Sequence, residues 1–276
     1  KGRESEKNVV TGSLDTLKKR RFARAYSAIA KYRGAVELGW YDFTTRYRRS
    51  FFGALWAPFQ LTLWIGSLAF IFHDALGEEF NVYVVYLGLG LYMWEYLSSV
   101  LNEGPTHFTS QASLIKNVSV DLSYLTVRKI AFLLFRSLVQ LPVPIAVILI
   151  FGEVTNPALL FYLIPLPLLL AVFTYAGLVI LGVLGAQFRD IPFLMPAVVR
   201  FFLFTSPILW RGDAGLRKTI SVYNPVSYFL ELIRAPVEGR APSSMAWIVV
   251  SAISFGALFV AFWVQSRYRN RLIYSL

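Results

Sequence analysis

The sequence predicts an all-α, polytopic membrane protein with six transmembrane helices. Three observations carry that reading. Of 276 residues, 56% are hydrophobic and only 16% charged, where a soluble domain is about a quarter charged. The apolar residues gather into six runs, each long enough to cross a hydrocarbon core of about 30 Å. The Lys and Arg residues then fall mostly on one side of the alternation that these runs impose.

Residues 1–31 form a basic tail, with Lys18, Lys19, Arg20 and Arg21 as a run. A solvated tail on the cytoplasmic face is expected, with anionic-lipid binding as the lesser alternative. The first fifty residues hold no long apolar run, so no cleavable signal peptide is expected. Residues 32–50 predict an amphipathic interfacial helix. Val36, Trp40, Phe43, Tyr47 and Phe51 recur at helical spacing and make one stripe, while Glu37, Asp42, Arg46, Arg48 and Arg49 fall mostly off it. Such a helix lies in the membrane interface, with Trp40, Phe43 and Tyr47 at headgroup level and Arg46, Arg48 and Arg49 beside lipid phosphates. The alternative is an ordinary charged lead-in to the first span.

Residues 51–276 form the six-span domain, with spans over 51–72, 82–101, 130–151, 158–186, 192–210 and 245–265. Pro142 and Pro144 in the third and Pro165 and Pro167 in the fourth predict kinks, because proline removes a helical hydrogen bond. Of 27 Lys and Arg, twenty lie in the segments on one side and five on the other, with Arg136 and Arg200 inside spans. Both termini are therefore expected in the cytoplasm. The net charge of +11 would point to nucleic acid in a soluble protein. Here the topology accounts for it, and no nucleic-acid partner is expected. The absence of cysteine excludes disulfides, thiolate metal sites and cysteine nucleophiles, and no metal is expected.

Three further segments look structured. In the inner loop 102–129, Phe108, Ala112 and Ile115 share a helical stripe. A short turn covers 187–192. In the outer stretch 211–244, Asn224 followed by Pro225 is a helix start, a side-chain cap and then proline at the first helical position; residues 216–222 predict a second short helix before it. Inside the spans, Glu95 and Arg136 each sit six residues from a cytoplasmic end, about 9 Å deep at 1.5 Å per residue. Matching depth on consecutive antiparallel helices predicts a structural ion pair, since an unpaired charge there is costly.

Four motifs in order resemble the membrane permease subunit of polysaccharide-export, type-2 ABC transporters, which export O-antigen, capsule or teichoic-acid polymers. They are Arg46-Tyr47-Arg48-Arg49-Ser50-Phe51-Phe52-Gly53-Ala54-Leu55-Trp56, Phe188-Arg189-Asp190-Ile191, Ser206-Pro207-Ile208, and Asn224-Pro225-Val226-Ser227 with Arg234. They cover roughly residues 36–239. After Leu114-Ile115-Lys116 the chain reads Asn117-Val118-Ser119-Val120 where the family has Phe-Pro, which leaves the exact coupling contact open.

The resemblance implies a homodimer in the plasma (inner) membrane, surrounded by lipid, above two copies of a separate ABC ATPase, exporting a lipid-linked glycan. The chain has no G-x-x-x-x-G-K-[ST] phosphate cradle, so ATP and Mg are expected on the partner and no cofactor on this chain. In the resemblance, Phe108, Gln111, Ala112, Ile115 and Lys116, with Arg189 and Asp190, receive the ATPase motion. The interfacial helix lines the entrance. Asn224, Pro225, Tyr228 and Arg234 belong to an exit gate.

A glycan path needs aromatic faces for sugar C–H surfaces and polar groups for hydroxyls. Trp56, Gln60, Trp64 and Ser67 share a face of the first span; Phe193, Arg200 and Phe204 share one of the fifth with Ala197 and Pro207. These two faces are expected to line the conduit. Against this, Trp near a span end is commonly an interface anchor, and Gln or Ser can bond a neighbouring helix. Two other functions stay open: a related permease for a small drug or lipid, and a membrane-embedded glycosyl- or acyltransferase. For the enzyme, neither His73-Asp74 nor His107 makes a recognisable catalytic set, and solvated loop positions are expected for them.

Overall fold

The computed structural model describes residues 31–48, 50–77, 79–117, 121–152, 155–212 and 215–275, and the side chains of all of these except 75, 76 and 269–275. The basic tail through residue 30 and Arg49 lie outside the described residues. No strand occurs among the described residues. The chain is helical over 31–46 (α1). A 3-10 turn, Gly53–Leu55, leads into α2 (Trp56–Leu76), followed by α3 (Phe80–Glu103). An elbow follows, a 3-10 turn, Thr109–Gln111, and α4 (Ala112–Asn117). Next come α5 (Leu122–Gln140), α6 (Pro142–Phe151), a 3-10 stretch Pro157–Leu163, α7 (Leu166–Gln187) and α8 (Ile191–Thr205). The last elements are α9 (Gly215–Tyr223), α10 (Pro225–Val237) and α11 (Ser244–Ser275).

Five helical stretches among the described residues are long and apolar enough to cross a membrane: Gly53–Asp74, Phe80–Glu103, Leu122–Phe151, Pro157–Gln187 and Ser244–Tyr268. The third and fourth are broken where the prolines predict, at Leu141 before Pro142 and at Ile164-Pro165. The expected span over 192–210 is not among the five. Its helix, α8, has 15 residues and stops at Thr205. Ser206 precedes Pro207 and takes the extended conformation, φ −89° and ψ 149°, which relieves the clash with the proline ring. The remaining apolar residues through Trp210 therefore leave the helix as turns.

The hub is α3. In its most apolar window 78% of residues are buried, against 22–44% in the other four candidate spans. It packs on α2, α5, α6, α7, α8 and α10, while α7 and α11 run closely together. Between apolar helices in lipid, close packing and interhelical hydrogen bonds hold the bundle rather than the hydrophobic effect. Tyrosines along α3 supply those bonds. Tyr83 donates to Leu209 O (2.8 Å) and Tyr86 to Pro207 O (2.7 Å), both in the turn after α8. Tyr92 Oη lies 2.9 Å from Ser137 Oγ on α5, and Tyr96 Oη 2.7 Å from Thr174 Oγ1 on α7.

The outer helices divide by burial. α9 buries no residue. α10 buries eight of its thirteen and wedges between α3, α11 and the 3-10 stretch at 157–163.

Candidate conduit and coupling surfaces

The first helix, α1, lies against α5. Its buried residues are Ala35, Gly39 and Phe43, one helical turn apart. Of the expected stripe, Phe43 lies on this packing face, while Val36, Trp40 and Phe51 lie off it. A Cβ on Gly39 would sit 2.6 Å from Arg128 O and 2.7 Å from Ala131 Cβ, so α1 approaches α5 along its small residues. Val36 and Trp40 are displaced to the rim, and Trp40 meets Phe135 edge-on at 5.0 Å. Tyr47 is half-buried against Phe43 at 5.3 Å. Phe51 is 96% exposed beyond the end of α1. Asp42 accepts two hydrogen bonds from Arg128, both of 2.6 Å, fixing the helix in register. Arg46 reaches over the Phe132 ring and stands 3.7 Å from Glu103, and Arg48 is exposed.

Glu103, at the foot of α3, gathers three cations. Lys129 bonds to it directly, Arg136 Nη1 lies 3.6 Å away and Arg46 3.7 Å away. Arg136 Nη2 also donates to Glu95, so the two residues of matching depth meet, on α5 and α3. Glu103, the last residue of α3, and Lys129, two turns into α5, belong to the same network and are not found by counting depth within the expected spans.

The elbow is clamped by its apolar residues. Phe108 and Ile115 are buried with Leu122 and Leu125 of α5 and Val183 and Ala186 of α7. Gln111 and Ala112 are half-buried and Lys116 exposed. Arg189 and Asp190, just beyond α7, are exposed too. The elbow thus sits against the helix end that leads into Arg189 and Asp190. His107 is not the solvated residue expected from its loop position: it is 2% exposed. Its Nε2 is 3.2 Å from the buried Thr126 Oγ1 of α5, and its Nδ1 has no partner. Burial first, and the Lys129 ammonium second, push its pKa down to about 3. Nothing in the local sequence signals this, because the partner is nineteen residues away.

The two proposed conduit faces stand open. On α2, Ala57, Leu61, Ile65 and Ala69 are buried. Trp56, Gln60 and Ser67 are exposed on other faces, and Trp64 is half-buried. On α8 only Val199 is buried. Phe193 is 82% and Phe204 64% exposed, and Arg200, also exposed, donates from Nε to Pro196 O of its own helix. The protomer does not cover either face.

Between α9 and α10, Asn224 caps α10 by accepting from Val226 N–H at 2.9 Å, and its amide donates to Thr205 O and Ser206 Oγ. Pro225 is the first helical residue. Tyr228 Oη donates to Val222 O, tying α10 to α9. Arg234 is buried, only 4% exposed. Its guanidinium donates to Tyr86 O (3.0 Å), Pro207 O (2.6 Å) and Ile208 O (3.3 Å), and stacks on the Tyr86 ring at 3.5 Å. A Cβ on Gly90 would collide with it, so α3 carries glycine where the guanidinium rests on its backbone. Asn224 and Arg234 together fasten α10 to the turn after α8.

No protein-family model matches the chain. A protein of Klebsiella pneumoniae named O-antigen export system permease protein RfbA is 24% identical over 188 residues, 67% of this chain and 73% of its own length. A protein of the same name from Myxococcus xanthus is 22% identical over 245 residues, 86% of this chain and 94% of its own. The chain is similar to type-2 ABC permeases of the polysaccharide-export class. As in a permease, its apolar helices make it a multi-pass membrane protein.

Proposed function

We propose that the chain is the permease subunit of an ATP-driven exporter that carries a lipid-linked polysaccharide outward across the plasma (inner) membrane. The observation that carries this is the similarity to the Myxococcus xanthus O-antigen export permease along 94% of that protein's length. In this reading α8 serves as the sixth span, both termini are cytoplasmic, and two copies form a dimer above two separate ABC ATPase subunits holding ATP and Mg. The open faces of α2 and α8 line the conduit between the copies. Trp56, Gln60, Trp64, Phe193 and Phe204 offer rings and amide, and Arg200 donates hydrogen bonds to passing hydroxyls. α1 borders the entrance. The elbow and the Arg189-Asp190 turn take up the ATPase stroke, and because the elbow is packed on α5 and α7, those helices move with it.

The experiment has two arms. In the first, ATP hydrolysis by the purified chain is compared with and without its ATPase partner; turnover is expected only with the partner, and robust hydrolysis by the chain alone overturns the reading. In the second, surface polysaccharide is measured in cells lacking the chain. Polymer should accumulate inside, and unchanged surface polymer would leave a small-molecule or lipid permease instead.

A further inference from the structure

The conduit faces leave unassigned an open cavity of about 390 Å³ on the outer side, lined by the turn after α8, by α9 and by α10. Pro207 forms one edge of it, so the cavity begins where α8 ends. Ser221 lines it from α9, Ser227, Tyr228 and Glu231 from α10, and Glu238 and Arg240 from the segment beyond. The walls are fixed: Tyr228 ties α10 to α9, and Arg234 stacked on Tyr86 forms the floor.

Its charges are mixed rather than of one sign: Arg211, Arg234 and Arg240 stand with Glu231 and Glu238. Arg240 donates from Nε to Glu238 Oε2 at 3.1 Å and has Nη2 at 3.0 Å from the same oxygen. Its Nη1 is 3.7 Å from Glu231 Oε1. An anion approaching Arg240 meets the two carboxylates paired with it, and a metal ion meets three guanidinium groups. A pair of neighbouring hydroxyls suits both, donating to a carboxylate and accepting from the guanidinium. Ser227 Oγ, buried without a partner, adds a further donor and acceptor. The volume falls at the small end of ligand pockets, about 300–1,000 Å³, which suits a sugar residue or a pair and not a lipid chain.

We propose that this cavity is an exit-side subsite for a sugar residue of the exported polymer, held through its hydroxyls by Glu231, Glu238 and Arg240. The inference rests on the reading of the chain as a polysaccharide exporter. The polymer must also leave the site, so the holding is weak, as in any conducting path.

The chain has no cysteine, which makes single-cysteine labelling clean. Ser221→Cys, assembled with the ATPase partner, is labelled in spheroplasts with a charged, membrane-impermeant maleimide, with polymer synthesis on or off. The probe is the polymer the cells themselves export. Labelling should be several-fold slower with polymer in transit, while Lys218→Cys on exposed α9 surface labels alike in both states. Adding Glu238→Gln to Ser221→Cys, with export still measurable, should remove most of the protection; Arg240→Gln gives the same reading if the first variant fails to assemble. Equal labelling of Ser221→Cys in both states, while surface polymer is being made, overturns the subsite and leaves the exporter reading standing. Protection that survives both substitutions also overturns it, since the polymer then shields the cavity without binding there. Surface polymer that does not depend on this chain removes the exporter reading itself.

Discussion

The seat of Arg234 on α3 lends itself to a mutant cycle. Gly90→Ala places a methyl group against the guanidinium, 3.0 Å from Cζ, and displaces it from three carbonyl oxygens. Pro207 O keeps the hydroxyl of Tyr86 at 2.7 Å, and Tyr86 O keeps its place in the helix; Ile208 O and the cation itself are stranded. Hydrogen bonds to a charged group contribute about 1.5–3 kcal/mol each, and alanine returns about 1 kcal/mol of helix stability over glycine. Gly90→Ala is therefore expected to cost about 3 kcal/mol. Arg234→Met loses the same bonds but also removes a buried charge that was expensive to desolvate, so its cost is about 2 kcal/mol. In the double variant the methyl group fills vacated space, and the second change adds almost nothing. A coupling of about 2 kcal/mol or more follows, within the span seen for residues in contact. Unfolding of the purified chain by SDS in mixed micelles, followed by tryptophan fluorescence, measures all three. Additive costs, or a neutral Gly90→Ala, would refute the account of why glycine stands at position 90.

Other expectations follow from the inner network and from α8. Arg136→Gln should destabilise more than Glu95→Gln, by about 2 kcal/mol against about 1, because Arg136 retains Glu103 when Glu95 is neutralised; unfolding titrations with equal costs would contradict the shared network. The exchange Glu95→Arg with Arg136→Glu should restore stability only in part, since a carboxylate at 136 faces Glu103. Arg200→Gln should leave yield and unfolding unchanged and lower surface polymer; loss of folding would make it structural. His107 is buried neutral, with its pKa at about 3 against an ordinary 6.5. The unfolded chain takes up that proton first, so the stability from this site is complete above pH 6.5 and declines as pH falls towards 3. Between pH 6.5 and 5 the decline is about 2 kcal/mol, and His107→Gln should flatten it in unfolding titrations at the two pH values.

Helix identity and rough position were legible from the apolar runs, and the meeting of Glu95 with Arg136 follows from depth alone, because both are properties of the chain counted along itself. The stop of α8 was also written locally, in Ser206 before Pro207, but apolar residues through Trp210 masked it. The face by which α1 packs was not legible. Periodicity weighs large apolar residues, whereas close approach to α5 selects Ala35 and Gly39. The burial of Arg234 was not legible either, because its acceptors at Tyr86, Pro207 and Ile208 lie 148, 27 and 26 residues away. His107 is the same case at shorter range. The faces of α2 and α8 could be named by residue type, while which residues the fold leaves exposed on them depends on tertiary packing.

The brevity of α8 bears on the membrane itself. Fifteen residues rise about 22 Å, well short of a hydrocarbon slab of about 30 Å. A bilayer meeting such a helix thins or lets water dip towards it, at a fraction of a kcal/mol per Å of mismatch. In the proposed exporter, a hydrophilic cargo passing along that helix would cross a shorter stretch of low dielectric than the surrounding bilayer presents. Lengthening the helix by filling in its missing turns would then raise the barrier to transit without touching any group that contacts the cargo.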